Sequence, residues 1–383
     1  MAGINHRENG VRKPRFQRWL DQNDHEDLES TFSTPNAHFA PHYWHKNGEA
    51  ETSLQKVSDH GYLWASPALS EPIYSMLTFE LLDYARLKSE GYPLMPPLFK
   101  FGRVLKMSDS RVIKPLPPAD PDNAHHKYAA LVIDCEMVEL ADRVSDLVRI
   151  SVVDFMTGNI VLDSLVQPVG VVKQWRTRVS GVDAAMLRAA KADPNTTVLQ
   201  GWPAAREKIF TLADENTIFI GHALSNDLKI LRITTERVVD SLMLTAQAAF
   251  GRSIKRFPRM WSLKSACKGL MNIDVQKRRS AHDPREDALA ARELVLWCLT
   301  HPTGLLDWGY DERTAFEQEA VIRYAKRLEE ARQKAEEATL EEKGAVTEDV
   351  ITTGFLESGS PYIISAASSE SPLAIGPRPR RKD

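Results

Sequence analysis

Cysteine is scarce. The 383 residues contain three, Cys135, Cys267 and Cys298, and none stands at C-x-x-C spacing. A disulfide framework and a cysteine-ligated zinc site are therefore excluded, and reduced thiols fit the nucleus or cytosol. Long hydrophobic runs are missing too: no stretch of about 18 apolar residues occurs, so no membrane span or membrane partner is expected. The opening MAGINHRENGVRKPRFQRWL carries charges where a secretory signal would be apolar. A dominant charge is lacking, since 49 Lys+Arg against 52 Asp+Glu leave a net of -3. No internal repeat is visible. What is present, 43% hydrophobic and 26% charged residues, is the composition of a soluble chain able to bury a core, as one large or two modest domains.

The near-neutral total hides an imbalance. Tyr128 to Thr300 holds 23 Lys+Arg against 20 Asp+Glu, a net of +3, leaving 26 against 32, or -6, elsewhere. Between Arg252 and Arg279 stand nine cations (Arg252, Lys255, Arg256, Arg259, Lys264, Lys268, Lys277, Arg278 and Arg279) and one acid, Asp274. Such a cluster either forms a solvated face or attracts a polyanion.

Residues 1–60 are polar and lack apolar periodicity, so an irregular segment is expected, with His38, His42 and His45 in surface loops. Residues 61–124 read as a helical extension of unknown role, one that packs on the next domain or forms a small module. Its Glu71 to Lys88 stretch spaces Ile73, Met76, Leu77, Phe79 and Leu81 as one amphipathic helix, which Pro93, Pro96 and Pro97 terminate. The α/β pattern lies in 125–302. Tyr128–Ile133 is a continuous apolar run, as a buried strand requires. Two strands over Val148–Asp154 and Asn159–Val166 follow, joined at Thr157-Gly158. Helices are expected around Ala184–Ala190, around Trp202–Leu212 and from near Asn226, with a short strand at Thr217–Ile220. A last helix covers Pro284–Leu299, with Asp283 as N-cap and Pro284 at the first helical position. Residues 311–343 read as a charged helix, solvated or loosely docked, laced with i,i+4 pairs. Residues 344–383 read as a disordered Ser/Gly/Pro tail. Its RPRRKD end has the character of a nuclear import signal, which favours the nucleus over the cytosol.

Three segments of the α/β region carry acids in informative places. Asp134 and Glu136 end the first strand at i and i+2, on one face. Two carboxylates held together at a buried sheet edge repel each other and lose hydration, a cost that a cation removes. Asp227 falls in or near the first turn of the helix after Gly221-His222, a place the helix dipole also favours without any function. Asp287 begins the core-facing stripe of the last helix, which continues through Ala290, Ala291, Leu294, Val295 and Cys298, and His282 lies just outside that helix start. Four hard oxygen ligands without cysteine suit Mg²⁺ or Mn²⁺. Two such ions support in-line phosphoryl displacement, and a histidine can take the proton of the attacking water.

In order along the chain stand VIDCEMV (Val132–Val138), WRTRVSGV (Trp175–Val182), IGHALSNDLKIL (Ile220–Leu231) and AHDPREDALAA (Ala281–Ala291). With these blocks, residues 125–300 resemble the DEDDh 3′-to-5′ exonucleases of the ribonuclease H-like superfamily, and within them the Rex-type RNA exonuclease branch. Trp175 and Asn226 depart from the residues usual in that branch. The resemblance implies an α/β fold, a mixed β-sheet flanked by helices. It implies Asp134, Glu136, Asp227 and Asp287 as ligands of two Mg²⁺ or Mn²⁺ ions, with His282 as general base. It also implies Met137 against the terminal nucleotide and Arg176 and His222 near its sugar or phosphate. The implied activity is release of nucleoside 5′-monophosphates from single-stranded RNA 3′ ends, in RNA processing or turnover, with the basic cluster as a path for the RNA backbone. The alternatives are a 3′-5′ exonuclease acting on single-stranded DNA, or a nucleic-acid-binding scaffold with a decayed site.

Overall fold

The computed structural model describes residues 7–8, 11–12, 55–56, 63–64, 70–95, 113–120, 127–276 and 282–353. Most of the expected irregular stretch 1–60, Lys277, Arg278 and Arg279 of the basic cluster, and the tail beyond residue 353 lie outside these.

A six-stranded mixed sheet forms the centre. Its strands are β1 (Ala130–Leu140), β2 (Ser145–Asp154), β3 (Ile160–Leu165), β4 (Val172–Gln174), β5 (Ile218–Gly221) and β6 (Val238–Asp240). They run β6-β5-β1-β2-β3, and β4 pairs with the far end of β1. β1, β2 and β3 form an antiparallel meander, whereas β5 and β6 lie parallel to β1 and to each other respectively, β5 pairing with both. Ala130–Ile133 are buried throughout, because this half of β1 lies between two neighbours in the sheet and under helices. Gly158 takes the positive φ (79°) that the turn between β2 and β3 needs.

The helices are α1 (Ser70–Phe79), α2 (Tyr84–Ser89), α3 (Thr177–Ser180), α4 (Ala184–Ala192), α5 (Gly201–Leu212), α6 (Ser225–Leu231), α7 (Ser241–Phe250), α8 (Leu263–Met271), α9 (Pro284–Thr300) and α10 (Pro302–Thr353). Side-chain caps set several starts: Asp183 accepts from the Met186 N–H, Asp240 from Leu242, Ser262 from Ser265 and Asp283 from Arg285. α9 packs on β1, β2 and β5, and α5 and α6 pack on β2.

Two features differ from the sequence reading. The first amphipathic stretch is two helices, because the Asp83 carboxylate caps a new start by accepting from the Arg86 N–H, and the Leu82 N–H leaves the helix to donate to the Val238 carbonyl of β6. Of the two arrangements expected for this extension, the structure shows packing on the α/β domain: Ile73, Leu77, Leu82, Leu87 and Tyr92 belong to the same core as the sheet. The last helix starts at Pro302 rather than 311 and runs to Thr353, ten residues into the expected tail. Its beginning is docked on the core, one of the two arrangements expected. Trp308 and Phe316 pack on the core, Ala320 is buried, and Gly309 approaches the Ala248 carbonyl so closely that a Cβ there would come to 2.5 Å.

The chain clusters as two compact units, Lys13–Arg323 and Met1–Arg12 with Tyr324–Asp383. The second contains an antiparallel two-residue ladder, Arg7–Glu8 with Val11–Arg12, and the remainder of α10, where Arg332 pairs with Glu336 one turn on. Among the described residues, no helix is long and apolar enough to cross a membrane.

Candidate active site

β1 presents Asp134 and Glu136 opposite Ser151 and Arg149 of β2, and the register shifts immediately after Glu136. The bulge breaks the alternation of faces there and leaves Met137 half-buried against the core. Asp227, in the first turn of α6, reaches back to β1: its carboxylate accepts the Cys135 N–H at 3.0 Å. The amide between the two β1 acids is thus held by the third. Asp287, in the first turn of α9, is buried and accepts from the Gln276 side-chain amide at 3.0 and 3.1 Å, one distance to each oxygen. His282 lies with Nδ1 3.3 Å from the second of those oxygens, and its backbone N–H donates to the Val179 carbonyl of α3 at 2.8 Å. One ligand atom each from Glu136, His282 and Asp287 falls within 4.8 Å of the others.

The electrostatics report crowding. Burial, then the charges of Asp287, Asp227 and Glu136, push the Asp134 carboxyl well above the carboxylate range. Glu136 is raised to about 8, chiefly by burial, with the charge of His282 opposing the rise and that of Asp287 contributing to it. Asp227 also rises to about 8, burial outweighing the N–H groups of its own residue and of Cys135. His282 is raised, first by its hydrogen bond to Asp287. Buried acids that hold protons against neighbouring acids are what a cation site looks like without its cation. The donors, carboxylate oxygens with one imidazole nitrogen beside them, fit a hard divalent ion, and the thiol between the two β1 acids, Cys135, is buried and pushed further from ionisation by that burial.

An ion network braces this centre. Arg149 of β2 contacts Asp163 of β3 at 3.1 Å and Asp283, the cap of α9, at 3.3 Å, and Arg285 joins both acids. On the far side, Asp240 at the end of β6 accepts the N–H groups of Ala223 and Leu224, which lead into α6, and the hydroxyl of Tyr92. Gln276, Asp240, Tyr92 and the Arg149 network had not been singled out from the sequence. Asp240 could have been, as an N-cap before an apolar helix, whereas nothing local marks Gln276.

The other sequence-expected residues are not all at the centre. Arg176, with left-handed φ of 50°, stands before α3 and donates to Glu139 of β1 at 3.0 Å, which holds the Glu139 carboxyl below its ordinary range. Both ring nitrogens of His222 are engaged inside the protein, Nδ1 with the Ser241 hydroxyl at 2.9 Å and Nε2 with the Trp261 carbonyl at 3.1 Å. Burial lowers its pKa. It presents no spare nitrogen to a ligand. In the basic cluster, Arg252 and Lys268 are paired with Glu80 and Asp274, Arg259 with Glu319, and Lys264 donates to the Gln276 carbonyl.

Residues 131–295 match the RNase_T family model, described as "Exonuclease". RNA exonuclease 3 of Candida albicans is 32% identical over 170 residues, 44% of this chain and 38% of the relative. Small RNA degrading nuclease 2 of Arabidopsis thaliana is 32% identical over 170 residues, covering 44% and 34%, and RNA exonuclease 4 of Mycosarcoma maydis is 35% identical over 176, covering 45% and 43%. The chain spans less than half the length of each of these relatives. Residues 131–295, the stretch that carries the acids, are thus similar to the exonuclease domains that the RNase_T family model describes.

Proposed function

We propose that the chain is a divalent-metal-dependent 3′-to-5′ exoribonuclease that releases nucleoside 5′-monophosphates from single-stranded RNA ends. The observation that carries this reading is the grouping of Glu136, His282 and Asp287 within 4.8 Å, with Asp227 of α6 held on the Cys135 N–H between the two β1 acids and Asp134 raised in part by the charges of Asp287, Asp227 and Glu136. These four acids are the proposed holders of two Mg²⁺ or Mn²⁺ ions, which when bound supply Lewis acidity at the scissile phosphate. Asp287, as a carboxylate, accepts a hydrogen bond from the Nδ1–H of His282 and leaves Nε2 as the nitrogen that receives the proton of the attacking water. Met137 and Arg176 are the proposed contacts to the terminal nucleotide. His222 is assigned instead to holding the chain between β5 and α6 against Trp261. RNA is preferred to DNA because the relatives are named for RNA.

End-labelled single-stranded RNA, single-stranded DNA and duplex, digested side by side with Mg²⁺ or Mn²⁺, test the reading. Stepwise release of mononucleotides from the RNA 3′ end, abolished by chelation, is expected. Faster digestion of DNA would move the substrate, and an undiminished rate after exhaustive chelation would overturn the mechanism.

A further inference from the structure

Gln276 sits where the candidate centre meets the chain after α8, and its side-chain nitrogen faces Asp287. Its backbone takes a left-handed φ of 53°, which a glutamine adopts only when its surroundings hold it there. Three contacts do so. Its backbone N–H donates to Glu286 at 3.3 Å, its carbonyl accepts from the Lys264 ammonium at 3.0 Å, and its side-chain nitrogen spans the two Asp287 oxygens at 3.0 and 3.1 Å. The same nitrogen stands 3.5 Å from His282 Nδ1. A nitrogen nearly equidistant from both oxygens of a carboxylate occupies the position from which a cation would take both oxygens at once.

We propose that Gln276 is a positioning residue that restricts Asp287 to donating one oxygen to a bound ion, and so biases the centre against Ca²⁺ and toward Mg²⁺ or Mn²⁺. Calcium takes six to eight oxygens at longer distances and readily accepts two from one carboxylate, whereas the smaller ions require a compact octahedron. Donors that fix a ligating carboxylate also contribute to affinity. This inference rests on the metal-centre reading given above.

The test measures ion binding to the full chain by calorimetry, without RNA, using Mn²⁺ and Ca²⁺ separately. Gln276→Met keeps the length and removes both N–H donors. Gln276→Asn keeps an amide but withdraws it by one methylene, and serves if the first variant does not fold. Either variant is expected to weaken Mn²⁺ binding by about 10-fold or more while weakening Ca²⁺ less, so that the Mn²⁺-to-Ca²⁺ affinity ratio falls. A merely structural role would weaken both ions equally, and an unchanged ratio in a folded variant overturns the proposal. Failure of the parent protein to bind Mn²⁺ at all would instead overturn the metal centre itself.

Discussion

His282 and Asp287 form a pair in which only one polarity is possible. The carboxylate can only accept, so the 3.3 Å contact fixes the Nδ1 proton and directs the lone pair to Nε2. The hydrogen bond raises the histidine pKa above its ordinary 6.5, so His282 stays protonated, and unable to act as a base, to a higher pH than a free histidine. The reaction rate is therefore expected to climb with pH through a limb lying above 6.5. His282→Ala should lower kcat by about 10²–10⁴-fold and erase that limb in a pH–rate profile, with RNA affinity nearly intact. A variant that keeps both its rate and the limb would make the histidine a bystander.

At the scale of elements, the centre depends on how α6 is aimed. Asp240 accepts from Ala223, Leu224 and Leu242 and from the Tyr92 hydroxyl, joining the end of β6, the entry to α6, the start of α7 and the chain after α2. Asp240→Ala leaves these donors without their acceptor and is expected to cost about 2–4 kcal/mol, the sum of a lost cap and buried unsatisfied groups. Tyr92→Phe removes one neutral donor and should cost about 1 kcal/mol. Chemical denaturation measures both, and equal losses in the two variants would contradict a hub at Asp240. The elements that carry the acids were legible in the sequence because each has a local signature: a continuous apolar run for β1, and Asp-Pro followed by an apolar stripe for α9. α7 and α8 were not. α7 is buried on nearly all sides, so its sequence SLMLTAQAAF shows no polar face to set a period. His222 and Gln276 were misplaced or missed for a related reason: what their side chains meet is decided by Ser241, Trp261 and Asp287, which the fold brings from 11 to 39 residues away.

Over the whole Lys13–Arg323 unit, the cost of gathering the acids falls on the stability of the fold. Glu136 and Asp227 are raised from 4.5 and 3.8 to about 8. Between those limits the folded protein keeps protons that the unfolded chain has released, so the stability linked to these groups is complete at the acid end and is lost as pH rises toward 8. A bound divalent ion replaces the protons, and its stabilising effect should grow over the same window. His282, also raised, loses its paired charge in the same direction as pH rises, so the comparison is made in His282→Ala, which removes that contribution; buried His222, whose pKa is lowered, acts in the opposite direction below its ordinary 6.5, so the slope above that value is the one the acids set.

The direct measurement is the melting temperature of chelated His282→Ala protein from about pH 6.5 to about pH 8.5, with and without added Mn²⁺. The expected result is a metal-free melting temperature that falls across the range and a Mn²⁺ increment that is small at the acid end and largest at the alkaline end. A flat metal-free profile, with the same Mn²⁺ increment at every pH, would contradict a centre built from buried, mutually repelling carboxylates.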